Sequence, residues 1–376
     1  MNKLKCLSLF SSGGIAETYF KEIGIDVVLA NEIDNQRCAF YKHLYPETKV
    51  IEGDVKDNKT RTAIIKEAIK KNINFVIATP PCQGMSRHGK RDAYDPRNQL
   101  IYYAIEIIKE IKPEAILIEN VPRQLTTLIS HNKKRVLIPE YIKQELKEFY
   151  EVEDDIFNTA DYGVPQRRQR SIIRMFKKNS SIKSWNKPKT EKYITLKDAI
   201  GNLPSLDPLI RQENKRKHFP DFEKKKKKGM SVSRWHYPPT HSWHHVEWMQ
   251  HTPSGKTAFE NKLYFPKLDS GKRINGRIST YKRFAWDKPA NTITQNNGVI
   301  SSAICVHPGR KLTPETDERN RIFSDARALT IYELMIVSSL PKDWNIPDWA
   351  SEKLIRNIIG EGIPPLLVKK ILQELA

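Results

Sequence analysis

Cysteine is scarce in this chain of 376 residues, where only Cys6, Cys38, Cys82 and Cys305 occur and none belongs to a C-x-x-C pair. So few unpaired thiols exclude a disulfide framework and a cysteine-based zinc site. The chain also lacks a signal peptide and any apolar run long enough to cross a bilayer. We therefore expect reduced thiols, no bound metal, no membrane association and a cytoplasmic location.

Acidic side chains are also in short supply. The 44 Asp and Glu face 64 Lys and Arg, which gives a formal net charge of +20 and a pI near 9.6. This balance predicts an anionic partner, with nucleic acid first and an acidic membrane surface second. No amphipathic basic helix supports the membrane alternative. The length predicts one large domain and a smaller one.

The most informative stretch lies around Cys82. Residues 75–78 are rich in β-formers and too short for a helix, which predicts a buried strand. Pro80 and Pro81 then fix the backbone of a loop at the carboxyl end of that strand, where ligands bind in open α/β sheets. A lone cysteine beside a strand is more often a small buried side chain. A rigid Pro-Pro step followed by the polar Gln83 is instead suited to presenting a thiol, so Cys82 is the candidate nucleophile.

Three earlier segments predict a nucleotide-like site. Residues 4–10 form a predicted strand, and a small-residue loop at 11–14 leads into a predicted helix over residues 16–23. Such a loop lets backbone N–H groups approach a ligand closely. The next two predicted strands end in the acidic residues Glu32 and Asp54, where a ribose would need hydroxyl acceptors.

Two further strand ends carry charged side chains. A predicted helix over residues 99–111 precedes the strand at 115–118, which ends in Glu119. Another predicted helix, residues 141–150, precedes Arg168 and Arg170, whose spacing of two on an extended chain points both to one face. A carboxyl group and a basic face beside a nucleophile can exchange protons and bind anionic or carbonyl oxygens.

The sequence Pro81-Cys82-Gln83 resembles motif IV of the C5-cytosine DNA methyltransferases, and the resemblance runs in the expected order from about Leu4 to the last turn of the chain. Further segments resemble the other motifs of that family. They are residues 10–15, 31–34 and 53–54 (motifs I to III), 119–121 (motif VI), 166–170 (motif VIII), 283–294 (motif IX) and 359–365 (motif X).

The resemblance implies an α/β fold: a Rossmann-like sheet that uses S-adenosyl-L-methionine, with a smaller, mostly irregular target recognition domain. It implies a catalytic domain over residues 1–180, a recognition domain over 181–300 that ends with motif IX, and a return to the catalytic domain over 301–376. The catalytic residues would be Cys82, Glu119 and Arg168. The cofactor would contact Phe10, Gly14, Glu32, Ile33, Asp54 and Pro80, and the substrate would contact Gln83, Ser86, Asn120 and Arg170.

Three positions depart from the family pattern. Aligned without a gap, the first and last glycines of motif I are Ser12 and Ile15 here, and the asparagine of motif X is Glu361. A serine at position 12 can still adopt a turn. The roles that the family's glycine and asparagine have at positions 15 and 361 cannot be transferred to Ile15 and Glu361.

The predicted recognition domain carries much of the positive charge. Residues 181–280 contain 21 Lys and Arg against 9 Asp and Glu, a net charge of +12. The unbroken lysine run at 224–228 is predicted to be a surface loop. The histidine-rich and tryptophan-rich segment at 235–245 lacks metal-ligand spacing, which favours aromatic packing and polar DNA contacts over zinc.

The resemblance thus implies a DNA (cytosine-5-)-methyltransferase that acts on a short sequence in double-stranded DNA. It would be a monomer, with a cognate restriction endonuclease as a possible partner. Two alternatives stay open: a tRNA cytosine-5 methyltransferase of the same fold, which the long recognition segment disfavours, and a catalytically idle DNA-binding relative.

Overall fold

The computed structural model describes residues 4–81 and 98–375. Cys82, Gln83 and Ser86 lie outside the described residues, and their roles stay predictions. Within the described ranges, no helix is long and apolar enough to span a bilayer.

The described residues form eleven strands. They are β1 (Leu4–Leu9), β2 (Ile25–Glu32), β3 (Lys49–Glu52), β4 (Phe75–Ala78), β5 (Ala115–Asn120), β6 (Leu128–His131), β7 (Lys134–Leu137), β8 (Tyr150–Asn158), β9 (Gln169–Lys177), β10 (Leu209–Ile210) and β11 (Thr240–His241).

Ten α-helices accompany them in the same part of the chain. They are α1 (Asn35–Leu44), α2 (Asn58–Lys70), α3 (Leu100–Ile111), α4 (Ile138–Leu146), α5 (Leu196–Ile200), α6 (Phe222–Met230), α7 (Trp243–Gln250), α8 (Ile331–Val337), α9 (Glu352–Glu361) and α10 (Pro365–Gln373).

A seven-stranded sheet in the order β3-β2-β1-β4-β5-β9-β8 forms the centre of the molecule. The first five of these strands are parallel, and β9 runs antiparallel to both β5 and β8. Parallel strands are normally covered on both faces, which explains why β4 and β5 are buried along their whole length. The α/β, Rossmann-like fold class predicted from the sequence is confirmed.

Each face of the sheet packs against its own set of helices. On one face, Val76 and Ile116 belong to a cluster with the apolar sides of α3 and α4. On the other face, Phe75 and Leu117 pack with α10. The carboxyl ends of the parallel strands lie at one edge of the sheet, and the predicted site residues Glu32 and Glu119 lie at this edge.

The prediction of a helix over residues 16–23 is wrong, because this segment is a series of turns that ends in a single 3-10 turn, Lys21–Ile23. Its backbone bonds span three residues, as in Thr18 N–H to the Ile15 carbonyl at 3.3 Å. The Thr18 hydroxyl also donates to that carbonyl at 2.8 Å, which competes with a helical bond. A helix dipole therefore does not contribute at the first loop.

Two other local predictions need correction. The helix predicted over 141–150 is α4, which starts at Ile138 and ends at Leu146, and Tyr150 already begins β8. The lysine run predicted as a loop lies within the helix α6. Lysine is a good helix former, and the Lys225 ammonium pairs with Asp207 at 2.7 Å, so the run is held on a folded surface.

A further, smaller hydrophobic cluster lies away from the sheet. It includes Val246 and Trp248 of α7 together with Tyr281, Val306 and Ala328. Trp185, in contrast, packs with α10 and donates from its indole N–H to the Ile371 carbonyl at 2.7 Å. The domain limits at 180 and 300 stay predictions.

A buried ionic network joins the smaller cluster to α8. The Arg327 guanidinium donates to Asp325 at 2.8 Å and to both carboxylate oxygens of Glu333 at 2.8 and 2.9 Å, and all three side chains are fully buried. Glu333 also accepts from Thr330 N–H, which caps α8. The arginine holds the pKa of Glu333 at about 2, so the carboxylate is ionised in the folded protein.

We predict that Arg327→Met lowers the free energy of unfolding by about 3–5 kcal/mol, because it leaves two buried carboxylates without their cation. Urea unfolding of both proteins measures this difference. Lys109→Ala is the control, since it removes a half-exposed pair with Glu145 at 2.8 Å and should cost less than about 1 kcal/mol. Equal losses in the two variants would contradict the prediction.

Candidate active site

The carboxyl ends of the parallel strands are tied to one another at one edge of the sheet. Ser11 N–H, after β1, donates to the Asn31 carbonyl of β2 at 3.0 Å, and Gly53 N–H, after β3, donates to the Glu32 carbonyl at 3.0 Å. After β4, the Thr79 hydroxyl donates to the Phe10 carbonyl at 3.0 Å. The segments resembling motifs I to III and the start of motif IV therefore form one continuous surface.

Glu32 is buried and held by backbone donors. Its carboxylate accepts from Ser12 N–H at 2.8 Å, from Ile33 N–H at 2.8 Å and from Asp34 N–H at 3.0 Å. Ile33 directly beside it is 62% exposed. A fixed carboxylate next to an open apolar side chain fits a ribose and an aromatic base.

The loop after β1 depends on left-handed backbone at three positions. Phe10, Ser12 and Gly14 have φ of 59°, 47° and 78°. A side chain at Gly14 would also lie 2.3 Å from the Tyr45 ring, whose hydroxyl donates to the Gly14 carbonyl at 2.6 Å. Glycine is thus required at 14, whereas Ser12 adopts the strained conformation that the family's usual glycine accommodates without cost.

The second departure from the family pattern in this loop is Ile15, whose side chain packs against the C-terminal part of the chain. Ile15 is buried, and a Cβ on Gly362 would lie 2.8 Å from its side chain. The added volume at 15 is therefore accommodated by a glycine at 362, and the loop stays packed against the segment between α9 and α10.

Asp54 and Pro80 occupy the neighbouring strand ends. Asp54 accepts from Lys56 N–H at 2.9 Å, and the buried Asn31 side chain fixes the preceding turn by donating to the Gly53 carbonyl at 3.0 Å. The Asn120 amide, also buried, donates to the Pro80 carbonyl at 3.0 Å. Asn120 thus fixes the backbone two residues before Cys82.

Glu119 at the end of β5 forms a buried ion pair with Arg170 of β9. The distance from Arg170 Nε to Glu119 Oε1 is 2.7 Å, and each side chain is about 10% exposed. Burial raises the pKa of Glu119, while Arg170 and Arg168 oppose that rise. A carboxyl group whose pKa lies above its ordinary value can hold a proton closer to neutral pH.

Arg168, predicted to be catalytic, has a different set of partners. Its guanidinium donates to the carbonyls of Ile293, Gly360 and Glu361 at 2.6, 2.9 and 2.8 Å. These bonds join the loop before β9 to the segment resembling motif IX and to the end of α9. Of the two arginines, Arg170 lies directly against Glu119, and Arg168 stays a predicted catalytic residue.

Sequence reasoning missed Glu17, a buried carboxyl group beneath the first loop. The Ser8 hydroxyl donates to it, and burial raises the pKa of Glu17 to about 7. No motif marks this residue, and the segment was expected to be an ordinary helix, so only the fold shows that its side chain points inward. Within the described ranges, no group of three or more His, Cys, Asp or Glu side chains could hold a metal ion.

The strand order defines a Rossmann-like α/β fold, and comparisons with known proteins show the family. The C-5 cytosine-specific DNA methylase family matches residues 4–376. The chain is 43% identical over 374 residues to the Type II methyltransferase M1.HgaI of Avibacterium volantium, covering 98% of this chain and 97% of the relative. It is 27% identical to the Type II methyltransferase M1.HphI of Haemophilus parahaemolyticus, covering 98% and 85%.

Solved structures show the same fold. A Spodoptera frugiperda DNMT2 variant superposes with a TM-score of 0.63 at 16% identity, covering 99% of both chains. An E. coli prophage protein described as a DNA modification methyltransferase superposes with a TM-score of 0.68 at 20% identity, covering 99% of this chain and 98% of the other. The chain belongs to the C-5 cytosine-specific DNA methylase family and is a DNA (cytosine-5-)-methyltransferase.

We predict that Glu17→Gln makes the protein more stable at alkaline pH. The raised pKa means that the folded state favours the protonated form, so this contribution to stability is complete below about pH 4.5 and is lost as pH rises through about 7. The free energy of unfolding of the variant should exceed that of the wild type by about 2–3 kcal/mol more at pH 8 than at pH 5.

Denaturant unfolding at a series of pH values measures this difference. Glu22→Gln is the matched control, because Glu22 is half-exposed and pairs with Lys369 at 2.6 Å. A difference between Glu17→Gln and wild type that stays constant with pH would show that Glu17 does not titrate in this range.

Proposed function

We propose that this enzyme transfers a methyl group from S-adenosyl-L-methionine to C5 of a flipped-out cytosine in a short specific sequence of double-stranded DNA, through a covalent bond between Cys82 and C6. The observation that carries the proposal is the buried Glu119–Arg170 pair at the carboxyl edge, next to the strand end that leads into Cys82. Family membership supplies the reaction class.

Cytosine C5 is a weak nucleophile, so the ring must first be activated. The Cys82 thiolate adds to C6 while Glu119 donates a proton or hydrogen bond to N3, which turns C5 into an enamine carbon. Bound S-adenosyl-L-methionine supplies the methyl group as an electrophile. Once C5 is methylated and S-adenosyl-L-homocysteine has been released, a base removes the C5 proton, the electron pair restores the C5–C6 double bond and the thiolate leaves C6. Any proton that Glu119 gave to N3 returns to its carboxylate.

The geometry around Glu119 supports its proposed role. Burial keeps the carboxyl group partly desolvated and raises its pKa, as a proton donor at N3 requires. The other carboxyl oxygen can accept from the exocyclic amine of cytosine, which favours cytosine over thymine. Arg170 holds this carboxyl group and would donate to the base, and an arginine close to the Cys82 sulfur would favour its thiolate form.

The strand ends that precede β4 fit the cofactor. Glu32 would accept from the ribose hydroxyls, Ile33 would cover the adenine and Asp54 would lie near the adenine edge. Phe10 and Gly14 in the first loop and Pro80 after β4 would border the rest of the molecule. These roles are supported by the open side chain of Ile33, the fixed carboxylate of Glu32 and the continuous edge that links the loops.

The positive charge fits duplex DNA. Flipping a base costs roughly a few kcal/mol in lost stacking and pairing, and contacts from a basic surface to phosphates offset that cost. The relatives named above are Type II methyltransferases, and we propose that this enzyme acts likewise in a restriction-modification system, as a monomer and with a cognate endonuclease.

We predict that plasmid from cells expressing the wild-type enzyme carries 5-methylcytosine confined to one short motif, and that plasmid from Cys82→Ala cells carries none. Bisulfite sequencing measures both. Cys305→Ala is the control, because Cys305 is a buried thiol of the smaller cluster and its loss should leave the modified motif unchanged.

The same preparation separates the alternatives. Transfer of tritiated methyl groups from the cofactor into tRNA but not into DNA would select the tRNA enzyme. Soluble protein that binds DNA and labels neither substrate would select the idle DNA-binding relative.

We predict that Glu119→Gln lowers the single-turnover methylation rate by about 10²–10⁴-fold, because the amide cannot protonate N3. Arg170→Gln should instead move the alkaline limb of the pH–rate profile to higher pH, since loss of the cation raises the pKa of Glu119 further. Rapid-quench assays across pH measure both effects. An alkaline limb unchanged in Arg170→Gln would remove Glu119 from the proposed role.

A further inference from the structure

Two of the three departures from the family pattern meet in space through Arg37, a residue that belongs to none of the motifs. Arg37 lies in the first turn of α1, and its Nη1 donates to the Ser12 hydroxyl at 3.2 Å. The same guanidinium forms a two-pronged pair with Glu361, with Nη1 to Oε2 at 2.5 Å and Nη2 to Oε1 at 2.7 Å. Ser12 and Glu361, unusual in separate motifs, thus share one partner.

Glu361 is itself fixed by other parts of the chain. Its side chain accepts from the Gln295 amide, and its backbone carbonyl accepts from Arg168 at 2.8 Å. Because Glu361 is held by these bonds, it orients the Arg37 guanidinium toward the loop after β1. A two-pronged arginine–carboxylate pair is geometrically specific as well as charged.

The Arg37–Glu361 pair is partly exposed rather than part of the core. The two side chains are 24% and 23% exposed, in contrast to the fully buried pairs around Arg327. Such a pair is accessible to a ligand, and its solvent-screened attraction alone gives it little value for stability.

The order of the strand ends indicates which part of the cofactor would lie beside Arg37. The proposed adenosine contacts, Glu32 and Asp54, follow β2 and β3, while Glu119 and Pro80 follow β5 and β4 on the other side of β1. The methyl group must reach the base on the β4–β5 side. The amino-acid part of the cofactor would therefore lie near the loop after β1, where Ser12 contacts Arg37.

We propose that Arg37 binds the α-carboxylate of the methionine moiety of S-adenosyl-L-methionine, with Glu361 orienting the guanidinium and accepting from the α-ammonium. This inference rests on the proposed cofactor. The amino-acid end is a zwitterion, and the Arg37–Glu361 pair presents the complementary two charges side by side. An adenosine compound without the amino-acid end would make neither contact.

Calorimetric titration of the full-length protein tests this with two ligands. S-adenosyl-L-homocysteine carries the amino-acid end and 5′-methylthioadenosine lacks it. We expect Arg37→Ala to weaken S-adenosyl-L-homocysteine binding by about tenfold or more, the loss of a charge-assisted contact, and to leave 5′-methylthioadenosine within about twofold. Glu361→Gln should give a smaller loss with the same selectivity.

Arg37→Lys keeps the charge without the planar fork and should give an intermediate loss; it also replaces Arg37→Ala if that variant does not fold. Lys109→Ala, which removes a pair between α3 and α4, should change neither affinity. Equal weakening of both ligands by Arg37→Ala would show a structural role and overturn the inference, as would no change in either. A wild-type protein that binds neither ligand would instead overturn the proposed cofactor.

Discussion

The Arg168 guanidinium is the point at which three distant parts of the chain are held together. It is buried, and it binds the carbonyls of Ile293, Gly360 and Glu361, which lie 125 to 193 residues away along the chain. Loss of this cation would leave three carbonyls without this donor, two of them buried, at a cost of about 1–3 kcal/mol for each buried group. The loop before β9, the segment resembling motif IX and the end of α9 are joined through this one side chain.

The directions of the strands explain why these residues meet at one edge of the sheet. Since β1 to β5 are parallel, their carboxyl ends meet at one edge, and since β9 is antiparallel, its amino end reaches the same edge. Arg170, at the start of β9, therefore lies against Glu119, at the end of β5, although 50 residues separate them in the chain. If β9 were parallel to β5, its first residues would lie at the opposite edge of the sheet. Because β9 is reversed, Arg170 lies at the same edge as Glu119.

Much of this architecture could be predicted from the sequence because it depends on local patterns. Short apolar runs such as residues 75–78 and 115–118 predict buried strands, and polar residues that follow them predict the edge at which Glu32 and Glu119 lie. The side-chain partners could not be predicted in the same way. The Arg37–Glu361 pair joins residues 324 positions apart, and the buried Glu17 lies in a segment of turns where the sequence predicts a helix. Lys224 to Lys228 lie on a helix because their neighbours supply tertiary contacts that a charge run does not reveal.

The smaller hydrophobic cluster is built from two separate segments of the chain. Residues on both sides of 283–294 contribute to it, with Trp248 and Tyr281 before and Val306 and Ala328 after. Between these two segments the chain contacts the loop before β9, where Arg167 N–H donates to the Ala290 carbonyl at 2.7 Å. A chimaera that takes only the first segment from a relative would pack that relative's half of the cluster against this protein's other half. The unit that can be inherited or transplanted whole therefore includes both segments and residues 283–294 between them.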